Sequence, residues 1–157
     1  MKQAADGEGQ GLADGPIAVS TAFEGSEEIS DARRFARAFM TDLRAQHGLP
    51  VSERAEATVQ LVVSELVTNA QKYAPGPILL TLESNDGALE VTVWDSEPAL
   101  PTVRGADPGR VGQHGLEITM AVCRDLEMHR EPVGKRIKAA VLLADHTVGD
   151  EAGSRMM

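Results

Sequence analysis

Glu65 and Asn69 stand four residues apart in the run Glu65-Leu66-Val67-Thr68-Asn69-Ala70-Gln71-Lys72-Tyr73. On a helix that spacing puts both side chains on one face, with Tyr73 continuing the row and Lys72 beside it. A carboxylate there can accept a proton, and an amide oxygen is a hard ligand for oxygen-preferring cations. A plain amphipathic helix also sets polar residues beside an apolar stripe, and that bland reading stands next to the chemical one. Asn69 tells against it. The asparagine amide competes for backbone hydrogen bonds, so asparagine is a poor interior helix residue.

Two further features follow along the chain. Trp94-Asp95-Ser96-Glu97-Pro98 ends an apolar run. An aspartate there can simply open a turn. Buried, it would need a donor, because an unpaired carboxylate is costly to bury. Trp94 reads as a core residue. Gly112-Gln113-His114-Gly115-Leu116 precedes a short helical pattern. Glycine lets backbone N–H groups approach an anion, and a helix N-terminus favours negative charge. His114 reads as an exposed loop histidine.

These residues need elements to hold them. Ile17 to Phe23 alternates like a strand. Ser26 can cap a helix whose first turn carries Glu27 and Glu28. In it Ile29, Ala32, Phe35, Ala36, Phe39 and Leu43 fall at helical steps, and Gly48 and Pro50 end it. A second helix starts near Ser52, with an apolar stripe from Ala55 to Ala70, and stops at Pro75-Gly76-Pro77. Strands Ile78 to Glu83 and Leu89 to Trp94 flank the turn signal Asn85-Asp86-Gly87. Residues 96–112 form a long irregular segment of the kind that often serves as a lid. A third helix from about Gly115 to Cys123 leads to strands near Leu126 to Arg130 and Ile137 to Leu143. The order β-α-α-β-β-loop-α-β-β predicts an α+β two-layer sandwich, with helices on one face of a mostly antiparallel sheet.

The chain has 157 residues, 42% of them hydrophobic and 3% aromatic, so Val, Leu, Ile and Ala must build the core of one domain. That domain is expected over 17–145. Residues 1–16 and 146–157, poor in large apolar side chains, are expected to be flexible tails. Net charge is −9, which disfavours nucleic acid as a partner. Cys123 is the only cysteine, so no internal disulfide can form. No signal peptide or membrane-length apolar run is visible, and a cytoplasmic protein with no membrane partner is expected. His47, His129 and His146 lack metal-ligand spacing.

The run from Glu65 to Tyr73, with Asp95 one strand later and the Gly112/Gly115 pair after it, resembles the histidine-kinase-like ATPase (GHKL, Bergerat) superfamily. It looks most similar to the small bacterial anti-sigma factor serine kinases and their ATP-binding relatives, over roughly residues 20–143. The resemblance implies that the chain binds ATP and Mg²⁺. It implies that Asn69 holds the magnesium ion against the phosphates and that Glu65 deprotonates or orients the attacking hydroxyl or water. Lys72 would supply charge to phosphate oxygens, and Tyr73 would line the pocket. Asp95 would accept from the adenine amino group, and Gly112, Gly115 and Leu116 would shape the phosphate lid. One departure stands out: the superfamily's Asp-x-Gly-x-Gly is replaced here by Asp95, Ser96 and Pro98 with no glycine.

The activity so implied is transfer of the ATP γ-phosphate to a serine of an anti-sigma antagonist protein, together with sequestration of a sigma factor. Family members commonly form homodimers. A non-catalytic module that binds ATP, or only grips a partner, is the alternative. A detached histidine-kinase catalytic domain is the third, and acid-labile phosphohistidine would reveal it.

Overall fold

The structure is a computed structural model that describes residues 16–24, 29–73, 76–96 and 113–144. The tails, the Ser26 cap and the lid over 97–112 lie outside the described residues. The elements run β1 (Ile17–Phe23), α1 (Ile29–His47), α2 (Glu53–Tyr73), β2 (Ile78–Asn85), β3 (Ala88–Asp95), α3 (Gln113–Val122), β4 (Asp125–Arg130) and β5 (Lys135–Leu142). The described strands form one five-stranded sheet in the order β1-β2-β3-β5-β4. Every neighbouring pair is antiparallel. This is the α+β two-layer arrangement expected from the pattern.

The sheet has two different faces because side chains alternate along each strand. Leu80 and Leu82 of β2, Leu89, Val91 and Val93 of β3, and Ile137, Ala139 and Val141 of β5 point one way and are buried. They meet Ala36, Met40 and Leu43 of α1, Val59, Val62, Val63 and Leu66 of α2, and Leu116 of α3 in one core cluster. The other face carries polar groups, among them a Ser20–Thr81 hydroxyl pair at 2.8 Å and a Lys138–Glu90 contact at 3.8 Å. Trp94 falls on this polar face. It is half-buried, with the Arg136 guanidinium 5.3 Å from its ring centroid, rather than in the core. Strand alternation decides this, since its neighbours Val93 and Asp95 take the inner positions.

Local chemistry fixes the element ends. α1 stops at Gly48, whose φ of 62° suits glycine, and the Leu49 N–H donates back to the Leu43 carbonyl at 2.9 Å. That is a glycine-terminated helix closure. Ser52 caps α2: its hydroxyl accepts from the Ala55 N–H at 2.9 Å, a contact that stabilises a helix by about 1 kcal/mol. The Ser52 N–H itself donates to the Leu143 carbonyl at 2.8 Å, which ties the start of α2 to the end of β5. Arg44 links α1 to the same point, through the Val51 carbonyl and a 2.7 Å pair with Glu56. Asp86 and Gly87, both at positive φ, make the two-residue turn between β2 and β3. The hairpin strands therefore run longer than the sequence pattern suggested.

Candidate functional site

α2 is set against the sheet by its apolar stripe, so its orientation about its own axis is fixed. Ala55, Val59, Val62, Val63, Leu66, Val67 and Ala70 are buried. Glu65 is half-buried at the border of that stripe, Asn69 is 4% exposed, and Lys72 is exposed in the last turn. Glu65 lies one turn before Asn69, about 6 Å along the axis. Tyr73 ends the helix, and its side chain lies outside the described residues.

Asn69 is the unusual member. Its amide oxygen Oδ1 is buried with no hydrogen-bond partner among the described residues. Leaving such a group unsatisfied costs about 1–3 kcal/mol, so it needs an explanation. A buried oxygen that no donor among the described residues meets suits a hard cation. Among the described residues no cluster of three or more His, Cys, Asp or Glu could hold a metal. Magnesium needs no such cluster, because it is commonly bound through one or two protein oxygens plus phosphates and water. The residues present therefore fit a phosphate-bound magnesium ion.

Asp95 ends β3 on the inner face, 7% exposed. The pattern placed the strand end at Trp94; the structure extends it by one residue, which aligns Asp95 with Val93 and Val91 beneath the helices. The turn after α2 reaches the same edge of the sheet. A side chain added at Gly76 would meet the Ser96 hydroxyl at 3.7 Å. The C-terminal end of α2 and the C-terminal end of β3 thus lie at one edge of the fold, and they bring Asn69 and Asp95 to it.

Asp95 has a partner that the sequence reading missed. Lys135 opens β5 directly opposite it in the antiparallel register. The Lys135 ammonium lies 3.0 Å from Asp95 Oδ2 and 3.3 Å from Oδ1, and the two side chains are only 2% and 1% exposed. Gly134, at φ +88°, makes the approach possible, because a Cβ there would fall 1.6 Å from the Asp95 carbonyl oxygen. Lys135 escaped notice because the strand was expected to start at Ile137. The signal was present: Lys135, Ile137, Ala139 and Val141 share one alternating phase, so a lysine stands in line with an apolar row.

The remaining expected residues fall as follows. Gly112 lies outside the described residues. α3 begins at Gln113 rather than Gly115, so His114 and Gly115 sit in its first turn and not in a loop before it. No proline separates Gln113 from Val122, so nothing stops the helix from starting earlier. Leu116 is fully buried and belongs to the core. Cys123, just past α3, donates to the Asp125 carbonyl at 3.2 Å, and burial pushes its thiol pKa up. At the opposite end of the sheet, a cavity of about 390 Å³ lies between Leu49, Pro50, Ser84 and Leu143 and includes none of the site residues. No helix among the described residues is long and apolar enough to cross a membrane.

Comparison with known proteins gives the family. The sequence matches the family described as the histidine kinase-like ATPase domain over residues 26–141, and the chain belongs to that family. No curated protein matches the chain. The fold is similar to a crystal structure of the RsbU and RsbW domains of Rv1364c from Mycobacterium tuberculosis, with TM-score 0.54 and 19% identity over 81% of this chain. The chain spans 32% of that protein's length. A histidine kinase domain from the Erythrobacter litoralis EL346 blue-light activated histidine kinase also aligns, at TM-score 0.45 and 17% identity, over 71% of this chain and 61% of that one.

Proposed function

We propose that the chain is an ATP-binding regulator of the anti-sigma factor type that transfers the ATP γ-phosphate to a serine of an antagonist protein. The observation that carries the site is the buried, unpartnered Asn69 Oδ1, in a family defined by ATPase chemistry. Similarity to a structure that contains an RsbW domain supports the choice of branch.

Each residue then has one task. Asn69 offers its amide oxygen to a phosphate-bound magnesium ion, which when bound neutralises charge on the phosphates. Asp95 accepts from the adenine amino group. Glu65 accepts the proton of the attacking serine hydroxyl as its oxygen bonds to the γ-phosphorus and the bond to the β-phosphate oxygen breaks, releasing ADP. Lys72 draws phosphate oxygens from the exposed end of the row, and Tyr73 lines the pocket. Gly115, in the first turn of α3, and Gly112 shape the phosphate lid, where a helix N-terminus favours negative charge. Leu116 anchors that turn in the core.

The test has two stages. Calorimetry should show ATP binding that strengthens with Mg²⁺ and collapses in Asp95→Asn. Glu65→Ala should then lower phosphoryl transfer roughly 10²–10⁴-fold with ATP affinity nearly unchanged. Full turnover in Glu65→Ala would remove the base assignment. Absence of ATP binding to the unaltered protein would leave the second reading, a module that acts only by gripping a partner. The Ser96–Pro98 replacement of the usual glycines favours that second reading.

A further inference from the structure

Arg34, Arg44, Lys135, Arg136 and Lys138 each meet a carboxylate. Arg54 and Arg124 do not, although acidic residues outnumber basic ones 24 to 15 in this chain. Neither guanidinium has an ion pair or hydrogen bond among the described residues. Both line one cleft of about 300 Å³, where the first turn of α2, the turn from α3 into β4 and the end of β5 meet. Backbone hydrogen bonds hold its frame: the Ser52 N–H donates to the Leu143 carbonyl at 2.8 Å, and the Arg124 N–H to the Ala140 carbonyl at 2.7 Å. Among the described residues no acidic side chain lines the cleft. Glu56, on the next turn of α2, is held by Arg44 at 2.7 Å. The rest of the lining is largely apolar, with Ala55, Val122, Val141 and Leu142. Val122 and Leu142 are exposed, and so is Ile118, one turn earlier on the same face of α3.

A single solvated arginine needs no explanation, but two unpaired guanidiniums beside one apolar floor select a class of ligand. The guanidinium fork matches a carboxylate with two parallel N–H bonds. A free phosphate would leave the apolar floor in water. Nucleic acid or an anionic membrane surface presents many charges at once to a chain of net charge −9 and is repelled. A short segment with two carboxylates around an apolar side chain feels mainly the cleft, because charges farther off than about 8 Å are screened at physiological salt. We propose that this cleft docks an acidic, apolar-centred peptide segment of a partner protein. Its carboxylates would meet Arg54 and Arg124, and its apolar side chain would pack against Val122 and Leu142. Arg54 stands about 22 Å before Asn69 along the axis of α2, at 1.5 Å per residue. Docking therefore leaves the nucleotide end of the helix free, and the inference does not depend on the ATP reading.

The experiment is an NMR titration of the isotope-labelled full chain without nucleotide. The probe is the end-blocked tripeptide Glu-Leu-Glu, and the comparators are end-blocked Gln-Leu-Gln and Glu-Ser-Glu and inorganic phosphate, each taken to millimolar concentration. Glu-Leu-Glu should give saturable shifts at Ala55, Val122, Arg124 and Leu142, and all three comparators should bind more weakly. Arg54→Gln and Arg124→Gln should each weaken the probe roughly 2- to 5-fold, as expected for one exposed ion pair, and added salt should weaken it further. Absence of saturable shifts at the cleft with Glu-Leu-Glu would overturn the proposal, whether or not the variants fold. Equal binding of Gln-Leu-Gln would remove the role of charge and overturn it as well. Phosphate binding as tight as Glu-Leu-Glu binding would make the cleft a small-anion site instead. Shifts of the same residues on raising the protein concentration alone would assign the cleft to a second copy of the chain, and that too would overturn the proposal.

Discussion

Asn69 and Asp95 are both buried polar side chains at one edge of the fold, yet the chain treats them in opposite ways. The Asp95 carboxylate is met by Lys135 from the neighbouring strand, 3.0 Å away. The Asn69 amide oxygen is met by no donor among the described residues. The difference follows from charge. A carboxylate taken out of water without compensation costs far more than a neutral amide does, so the fold must supply the counter-charge itself. A neutral amide can stay unsatisfied for a cost of about 1–3 kcal/mol, which a ligand can later recover. One group is stabilised before any ligand arrives, and the other is left ready for one.

The comparison can be broken at the ion pair first. Lys135→Met alone should destabilise the fold by roughly 3–5 kcal/mol, because it removes the ammonium 3.0 Å from the buried Asp95 carboxylate. Replacing both partners, as Asp95→Leu with Lys135→Met, should recover most of that loss, since apolar groups of similar volume commonly match a buried pair. Urea denaturation of the two variants measures this. Equal destabilisation in the double variant would mean that the pair stabilises by more than mutual compensation.

Gly134→Ala should rank next. A side chain at φ +88° costs roughly 1–3 kcal/mol, and the clash with the Asp95 carbonyl parts β3 from β5 at that end. Hydrogen exchange should show the loss of protection concentrated at Asp95 and Lys135, with the Asn85–Ala88 turn unaffected. Uniform loss across the sheet would contradict this local account.

Asn69→Leu should have the smallest effect on stability, and of the opposite sign. Removing an unsatisfied buried amide should leave the fold as stable or raise its stability by about 1 kcal/mol, while the magnesium enhancement of ATP binding disappears. A loss above roughly 2 kcal/mol would show that the amide has a partner in the folded chain and is structural.

Helix periodicity made the Glu65/Asn69 row legible in the sequence, since a four-residue spacing on an apolar-striped helix leaves little freedom about which way the row faces. The turn residues were equally clear: Gly48 and Asp86-Gly87 mark positions where the backbone needs positive φ. The strand ends were less clear. Leu89 to Trp94 and Ile137 to Leu143 were readable as apolar runs, but each gains polar residues at the site end, Asp95 on β3 and Lys135 on β5. A polar residue that ends an apolar run looks like a turn until its strand partner is known.

The sequence by itself determined the layers, the order of elements and the row on α2, because periodicity and turn chemistry are local properties of the chain. Only the tertiary structure decided that Lys135 faces Asp95 across 40 residues of sequence, and that Trp94 turns outward to Arg136. Pairing register is set by the whole sheet together with the Gly134 turn, and no local pattern in the sequence encodes it.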